Sequence, residues 1–170
     1  MGRLSPSSEG KALYTIEQRQ RRDSSPWTVV QGVLAAFQFL VFLASLALVI
    51  RTLMTGEGAF AANASVLFKT LVLYTIMVTG SLWEKDVFGQ YLFAPAFFWE
   101  DVVSFVVIAL HTAYVAALLS GYLGQHELML LALAAYGVYA VNAAQFVWKL
   151  RQARLGAAPV MPHGQQGAGA

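Results

Sequence analysis

Four of the nine acidic residues in this 170-residue chain, Glu84, Asp86, Glu100 and Asp101, fall in one stretch beside Lys85. Carboxyl groups gathered in this way can donate and accept protons or stabilise a cationic centre. A plainer reading is a set of solvated loop charges. Glu100 and Asp101 open a helix, where the macrodipole favours anions, whereas Glu84 closes one, where it disfavours them. Asp101 is thus the better permanent negative charge and Glu84 the better proton donor, although Lys85 works against that by favouring an ionised Glu84. Trp83 and Trp99 flank the group, and the pairs Trp83–Glu84 and Trp99–Glu100 mark two helix ends at one membrane face.

His111 is a further candidate. At about 100° per residue, Ser104, Ile108, His111 and Thr112 all lie within about 80° of Asp101 on one helix, and His111 falls ~15 Å along that helix from it. A histidine at that depth ligates a metal inside a bound pigment, relays a proton, or bonds a neighbouring helix. The residue alone leaves all three open. Gln31 and Gln38 share a face of the first long helix that Ser45 continues, and Asn142 and Gln145 are neighbours on the last. These amides either hold helices together or point into a shared substrate cavity.

Other chemistries are absent. With no cysteine there is no disulfide, iron–sulfur centre, thiolate zinc site or cysteine nucleophile. No P-loop, dinucleotide fingerprint, His-Glu-x-x-His or Gly-x-Ser-x-Gly occurs. Three histidines, His163 in the C-terminal tail among them, make no metal site without carboxylates. A net charge of +2 implies no nucleic-acid partner.

The elements that must position these residues are membrane helices. The chain is 58% hydrophobic and only 12% charged, against roughly 25% charged in soluble domains, so a water-soluble globule is excluded. Residues 27–50 carry no charge, and at ~1.5 Å per residue they cover more than a ~30 Å hydrocarbon core. Ser25 and Pro26 supply an N-cap and a first-turn proline. The polar stretch 1–24 lacks an apolar core of the signal-peptide kind, so the first span reads as an uncleaved anchor. Further spans are 64–83, where Lys69 is expected to snorkel to the interface, 102–119, and 128–148. The 13 residues 87–99 are too few to cross, contain Pro95 and include six aromatics. They read as a re-entrant or interface-lying segment between the second and third spans.

Nine of the 11 Lys and Arg residues, Arg3, Lys11, Arg19, Arg21, Arg22, Lys85, Lys149, Arg151 and Arg154, fall on one side of this layout, and only Arg51 and Lys69 on the other. The positive-inside rule places both termini and the central loop in the cytoplasm. The expected fold is all-α: an integral membrane four-helix bundle over 25–155, an N-terminal cytoplasmic segment over 1–24, and a disordered tail over 156–170. The small residues Ala134, Ala135, Gly137 and Ala140 suit close packing within one chain or between two copies.

Several long runs carry a resemblance: EQRQRRDSSPWTVVQG at 17–32, LVLYTIMVTGSLWEKD at 71–86, VFGQYLFAPAFFWED at 87–101 and LHTAY at 110–114. Together they resemble the 3-vinyl bacteriochlorophyllide hydratases, membrane enzymes of bacteriochlorophyll synthesis in phototrophic bacteria, over about residues 14–155. The resemblance implies a bacterial inner-membrane enzyme that adds water to the C3 vinyl group of chlorophyllide a or its bacteriochlorin counterpart, giving a 3-(1-hydroxyethyl) group. No cofactor is implied, and the partners are the tetrapyrrole, water and the lipid bilayer, with self-association or contact with other pigment-synthesis enzymes left open.

Protonating the terminal vinyl carbon places positive charge on the inner carbon, where the conjugated ring delocalises it. Such a reaction needs a proton donor, a negative environment and a positioned water. The expected assignment is Glu84 as donor, with Asp101, aided by Glu100, stabilising the cation and orienting or deprotonating the water. The aromatic segment 88–99, with Phe97 and Trp99, and Trp83 beside it, would pack on the macrocycle. His111 would ligate its magnesium, Lys85 would meet its propionate, and Gln31, Gln38, Asn142 and Gln145 would line the site. The alternative is a non-catalytic pigment carrier or assembly subunit using the same aromatic floor, and beyond that a structural scaffold.

Overall fold

A backbone crossing hydrocarbon must satisfy its own hydrogen bonds, which an unbroken helix does within one segment. The structure, a computed structural model, describes residues 13–155. It contains α1 (Ile16–Ser24), α2 (Pro26–Thr55), α3 (Ala59–Phe88), α4 (Phe98–Ser120) and α5 (Gln125–Leu155). No strand occurs among the described residues, and α2 to α5 are each long and apolar enough to span a membrane. The expected four-helix, all-α architecture is present. The expectations for 1–12 and for the 156–170 tail lie outside the described residues.

Each span is longer in the structure than its uncharged run. A charge ends a hydrocarbon-compatible stretch but not a helix, so α2 continues past Arg51 and α5 past Lys149 into Arg154. At 30 residues, α2 and α3 are ~45 Å long, and they must emerge from a ~30 Å core. Left-handed glycines stop the chain where it turns: Gly56 at φ 72° after α2 and Gly89 at φ 81° after α3.

The sequence reading misses α1. A capping box opens it, with the Thr15 hydroxyl accepting from the Gln18 backbone N–H at 3.1 Å and the Gln18 amide accepting from the Thr15 N–H at 3.0 Å. The Thr-x-x-Gln spacing at 15–18 was the available signal. Ser25 does occupy the N-cap of α2 and Pro26 its first turn, but the Ser25 hydroxyl makes no cap bond and is enclosed without a partner.

α2 packs on α3 and α4 on α5, and the two pairs close into a ring through α2–α5 and α3–α4 contacts. Unlike a soluble bundle, this one exposes large apolar side chains while burying several polar ones among its apolar core. Leu40, Leu71, Val78 and Val141 face outward, while Gln38, Ser45, Thr52, Lys69, Thr70, His111 and Asn142 are buried. Lipid accepts the outer apolar surface, and some of the inner polar groups meet partners on neighbouring helices. The Ser45 hydroxyl bonds those of Ser65 and Tyr136 inside, while at the outer surface the Tyr74 hydroxyl meets Thr112 at 2.6 Å.

Lys69 does not snorkel. It lies on the same face of α3 as Ala62, Val66 and Leu73, all buried in the core, so its stem is directed into the bundle and the residue is 0% exposed. Of the small residues on α5, Ala135 is buried, whereas Ala134, Gly137 and Ala140 face outward.

Candidate active site

The connection between α3 and α4 is shorter than the aromatic stretch suggests. α3 runs through Phe88 and α4 begins at Phe98, leaving residues 89–97 as a tight turn. Two carboxyls, one from each helix end, hold that turn. Glu84 Oε2 accepts the backbone N–H of Ala94 at 3.1 Å, and Asp101 Oδ2 accepts that of Phe93 at 2.7 Å. Phe93 has φ 59°, a conformation that costs a side-chain-bearing residue energy and persists only where its surroundings enforce it. The Asp101 carboxylate supplies that enforcement.

Glu84 and Asp101 are buried and hold neighbouring backbone amides of this one turn. An ionised carboxylate only accepts hydrogen bonds, whereas a protonated one also donates. No cation forms an ion pair with either among the described residues.

Glu100, adjacent in sequence, is committed elsewhere. Its Oε2 meets Lys149 Nζ of α5 at 2.7 Å, and its backbone carbonyl accepts from Asn142 Nδ2 at 2.9 Å. Ser104 Oγ donates to Asn142 Oδ1 at 3.2 Å. Asn142 thus ties α4 to α5. Gln31 ties α2 to α3, donating to Thr79 Oγ1 at 2.7 Å. The side-chain oxygens of Gln38 and Gln145 are enclosed without partners.

The aromatic residues divide into two sets. Trp83, Phe88, Phe97, Phe146 and Tyr14 form an inner cluster at this end of the bundle. Phe97 lies 5.5 Å from the Trp83 ring and stacks on Phe146 at 6.0 Å, while Tyr14 stacks on Phe88 at 5.8 Å. Trp83 Nε1 donates to Thr28 Oγ1 at 3.0 Å. Burial pushes the Tyr14 phenol up from its ordinary value, opposed by the Arg22 guanidinium 4.9 Å above its ring. Phe93, Phe98, Trp99 and Phe105 form an outer set, with Trp99 68% exposed. Phe93 lies on Phe105 at 5.4 Å with planes 11° apart, and Phe98 is 5.7 Å from Phe93.

Expectation and structure therefore differ in detail. Glu84 and Asp101 do reach one turn, while Glu100 pairs with Lys149. Phe97 and Trp83 are packed inward, so the single aromatic floor is two surfaces. Lys85 is exposed, 4.9 Å from the Tyr91 ring, and with Pro26, Trp27, Leu82 and Asp86 lines an open depression of about 530 Å³. His111 is 0% exposed, its Nδ1 bonded to the Val107 carbonyl at 2.8 Å. A macrocyclic metal could reach its Nε2 only if helices parted. Phe105 and Lys149 were missed. Phe105, seven residues from Phe98 and so on the same helix face, was legible in principle; the role of Lys149 was not. No three His, Asp or Glu side chains group to hold a metal among the described residues.

Four long apolar helices of membrane-spanning length, with two buried carboxyls holding one strained turn at their end, define a helical membrane protein. The chain belongs to the 2-vinyl bacteriochlorophyllide hydratase family, whose profile matches residues 14–152. It is similar to the 2-vinyl bacteriochlorophyllide hydratase of Rhodobacter capsulatus, 67% identical over 87% of this chain and 86% of that one. It is also similar to the protein of the same name from Cereibacter sphaeroides, 64% identical over 89% of this chain and 94% of that one. No solved structure matches the chain at a significant level.

Proposed function

We propose that this chain adds water to the ring vinyl group of a bacteriochlorophyllide-type macrocycle, and that Glu84 and Asp101 carry the proton transfers. The position called 2 in the family name and 3 in the reading above is the same vinyl-bearing carbon under two numberings of the ring. The observation that carries the assignment is the burial of Glu84 and Asp101, brought from two helices onto one turn, with no ion pair to either among the described residues.

The vinyl π electrons take the proton of Glu84 at the terminal carbon, leaving a cation on the inner carbon that the macrocycle delocalises. Asp101 stabilises that cation and accepts a proton from the attacking water, whose oxygen forms the new C–O bond. One water is consumed, and the proton returns to the pair. General acid–base catalysis of this kind contributes roughly 10²–10⁴ in rate. Glu100, neutralised by Lys149, fixes the first turn of α4 and leaves the chemistry to the other two.

The macrocycle lies against the outer aromatic set, where Phe93, Phe98 and Phe105 offer parallel and tilted faces to the lipid side and Phe93 leads directly to Asp101. Trp99 borders it, and Lys85 meets the substrate propionate. In this arrangement His111 takes no part, because it is enclosed at the bundle centre. On this reading the end of the bundle holding the acids is cytoplasmic, which the excess of basic residues there supports, and the membrane is the bacterial inner membrane.

The test is a product. Membranes from a host that makes no bacteriochlorophyll, carrying this chain and supplied with chlorophyllide a, yield a pigment heavier by one water, and Glu84→Gln or Asp101→Asn abolishes most of that yield. Because both acids already hold loop amides, a purely structural role is the competing reading. Bound but unaltered pigment would establish the carrier instead.

A further inference from the structure

Three polar atoms at the centre of the bundle lack partners. Lys69 Nζ on α3, His111 Nε2 on α4 and Gln38 Oε1 on α2 are sealed and make no hydrogen bond. Lys69 and His111 are 0% exposed and Gln38 is 2% exposed. A polar atom left unpaired in a dry interior costs free energy, and more when it is charged. Buried polar groups that the protein itself does not satisfy are met by ordered water.

Two of the three lie beside the Tyr136 ring, and the third is one turn along α2 from Phe42, whose ring is 5.5 Å from that of Tyr136. Lys69 Nζ is 5.6 Å from the Tyr136 ring centroid, and the His111 ring is 5.8 Å from the same centroid. Phe42, 5.8 Å from Nζ, stands one helical turn from Gln38 on α2. Tyr139 lies 3.6 Å from Nζ on α5. The aromatic faces attract an ammonium but take up none of its N–H bonds as a lone pair would. No ion pair reaches Lys69 among the described residues.

We propose that Gln38, Lys69 and His111 form an internal water site at the middle of the bundle. The hydrogen-bond inventory selects water over an anion. His111 Nδ1 is bonded to the Val107 carbonyl, which only accepts, so Nδ1 carries a proton and neutral imidazole presents Nε2 as an acceptor. Gln38 Oε1 is also an acceptor, and Lys69 Nζ is a donor. One water that accepts from Nζ and donates to Nε2 and Oε1 satisfies all three, with the roughly three bonds typical of buried water. An anion meets Nζ and leaves both acceptors opposed to its charge. The site is ten residues along α4 from Asp101, ~15 Å at helical rise, and so is distinct from the acid pair.

X-ray radiolytic footprinting of the full-length protein in lipid nanodiscs tests this, because hydroxyl radicals formed at bound water label the side chains beside it. With ¹⁸O-water, Tyr136 and Tyr139 take up label although buried. Tyr114, 0% exposed and bonded to Asn63, remains at background. In the Gln38→Leu, Lys69→Met, His111→Leu triple variant the Tyr136 label falls to the Tyr114 level; should that protein fail to fold, Gln38→Leu alone lowers it. Equal labelling of Tyr136 and Tyr114 in the parent would mean a dry core and overturn the proposal. So would unchanged Tyr136 labelling in the folded variant, or an anomalous peak from bromide among the three residues in crystals soaked with that ion.

Discussion

Replacing Asp101 by Asn separates the two tasks assigned to this side chain. As an acceptor it holds the Phe93 N–H at 2.7 Å and keeps Phe93 at φ 59°, a conformation worth ~1–3 kcal/mol of strain. An amide oxygen still accepts that N–H, and exchanging a charged for a neutral acceptor forfeits about 1 kcal/mol. The turn therefore survives. As an acid–base group the loss is complete, since an amide does not take up the proton that the proposed reaction requires. Removing such a group lowers the rate by roughly 10²–10⁴, equivalent to ~2.7–5.4 kcal/mol of barrier. The catalytic effect thus exceeds the structural one by at least twofold in free energy on these estimates. The assay pairs kcat for vinyl hydration in isolated membranes with thermal melting of the same preparation. The expected outcome is a kcat lower by two to four orders of magnitude, with melting lowered by only a few degrees. A folded Asn variant with unchanged kcat would refute the assignment, and Asp101 would then be only the clasp of the turn.

Two other variants probe the surroundings. Phe93→Gly removes both the strained side chain and its stack on Phe105; with aromatic pairs worth ~0.5–1.5 kcal/mol, substrate KM should rise about 2–12-fold with kcat nearly unchanged, and an unaltered KM would remove the macrocycle from this face. Lys149→Met leaves the buried Glu100 carboxylate unpaired. Because Lys149 is partly exposed, the loss should fall at or below the lower end of the ~3–5 kcal/mol typical of a broken buried pair, read as a lower melting temperature that Glu100→Gln in the same chain restores.

The acid cluster was legible as a cluster because two adjacent helices end at the same membrane face. Its internal division was not. Successive residues on a helix point about 100° apart, so Glu100 and Asp101, neighbours in sequence, address different partners: one meets Lys149 of α5, the other the Phe93 N–H of the turn that follows α3. The same geometry sends Phe97 into the inner cluster and Trp99 outward. Lys69 looked like a snorkelling residue because depth along a helix can be counted, whereas the face it occupies becomes known only once Ala62, Val66 and Leu73 are seen to be core.

By itself the sequence determined that this protein crosses a membrane with four helices, because hydrocarbon tolerates only long apolar runs whose backbone bonds internally. It also determined the family, through runs far longer than any catalytic signature. Only the tertiary structure decided which polar groups meet. In lipid no hydrophobic force orders helix against helix, and the order follows from packing and interhelical hydrogen bonds spread over all four spans. That order closes α2 onto α5 and α3 onto α4, brings Glu84 and Asp101 to one turn, and sets Lys69 and His111 beside Tyr136 from positions far apart in the chain.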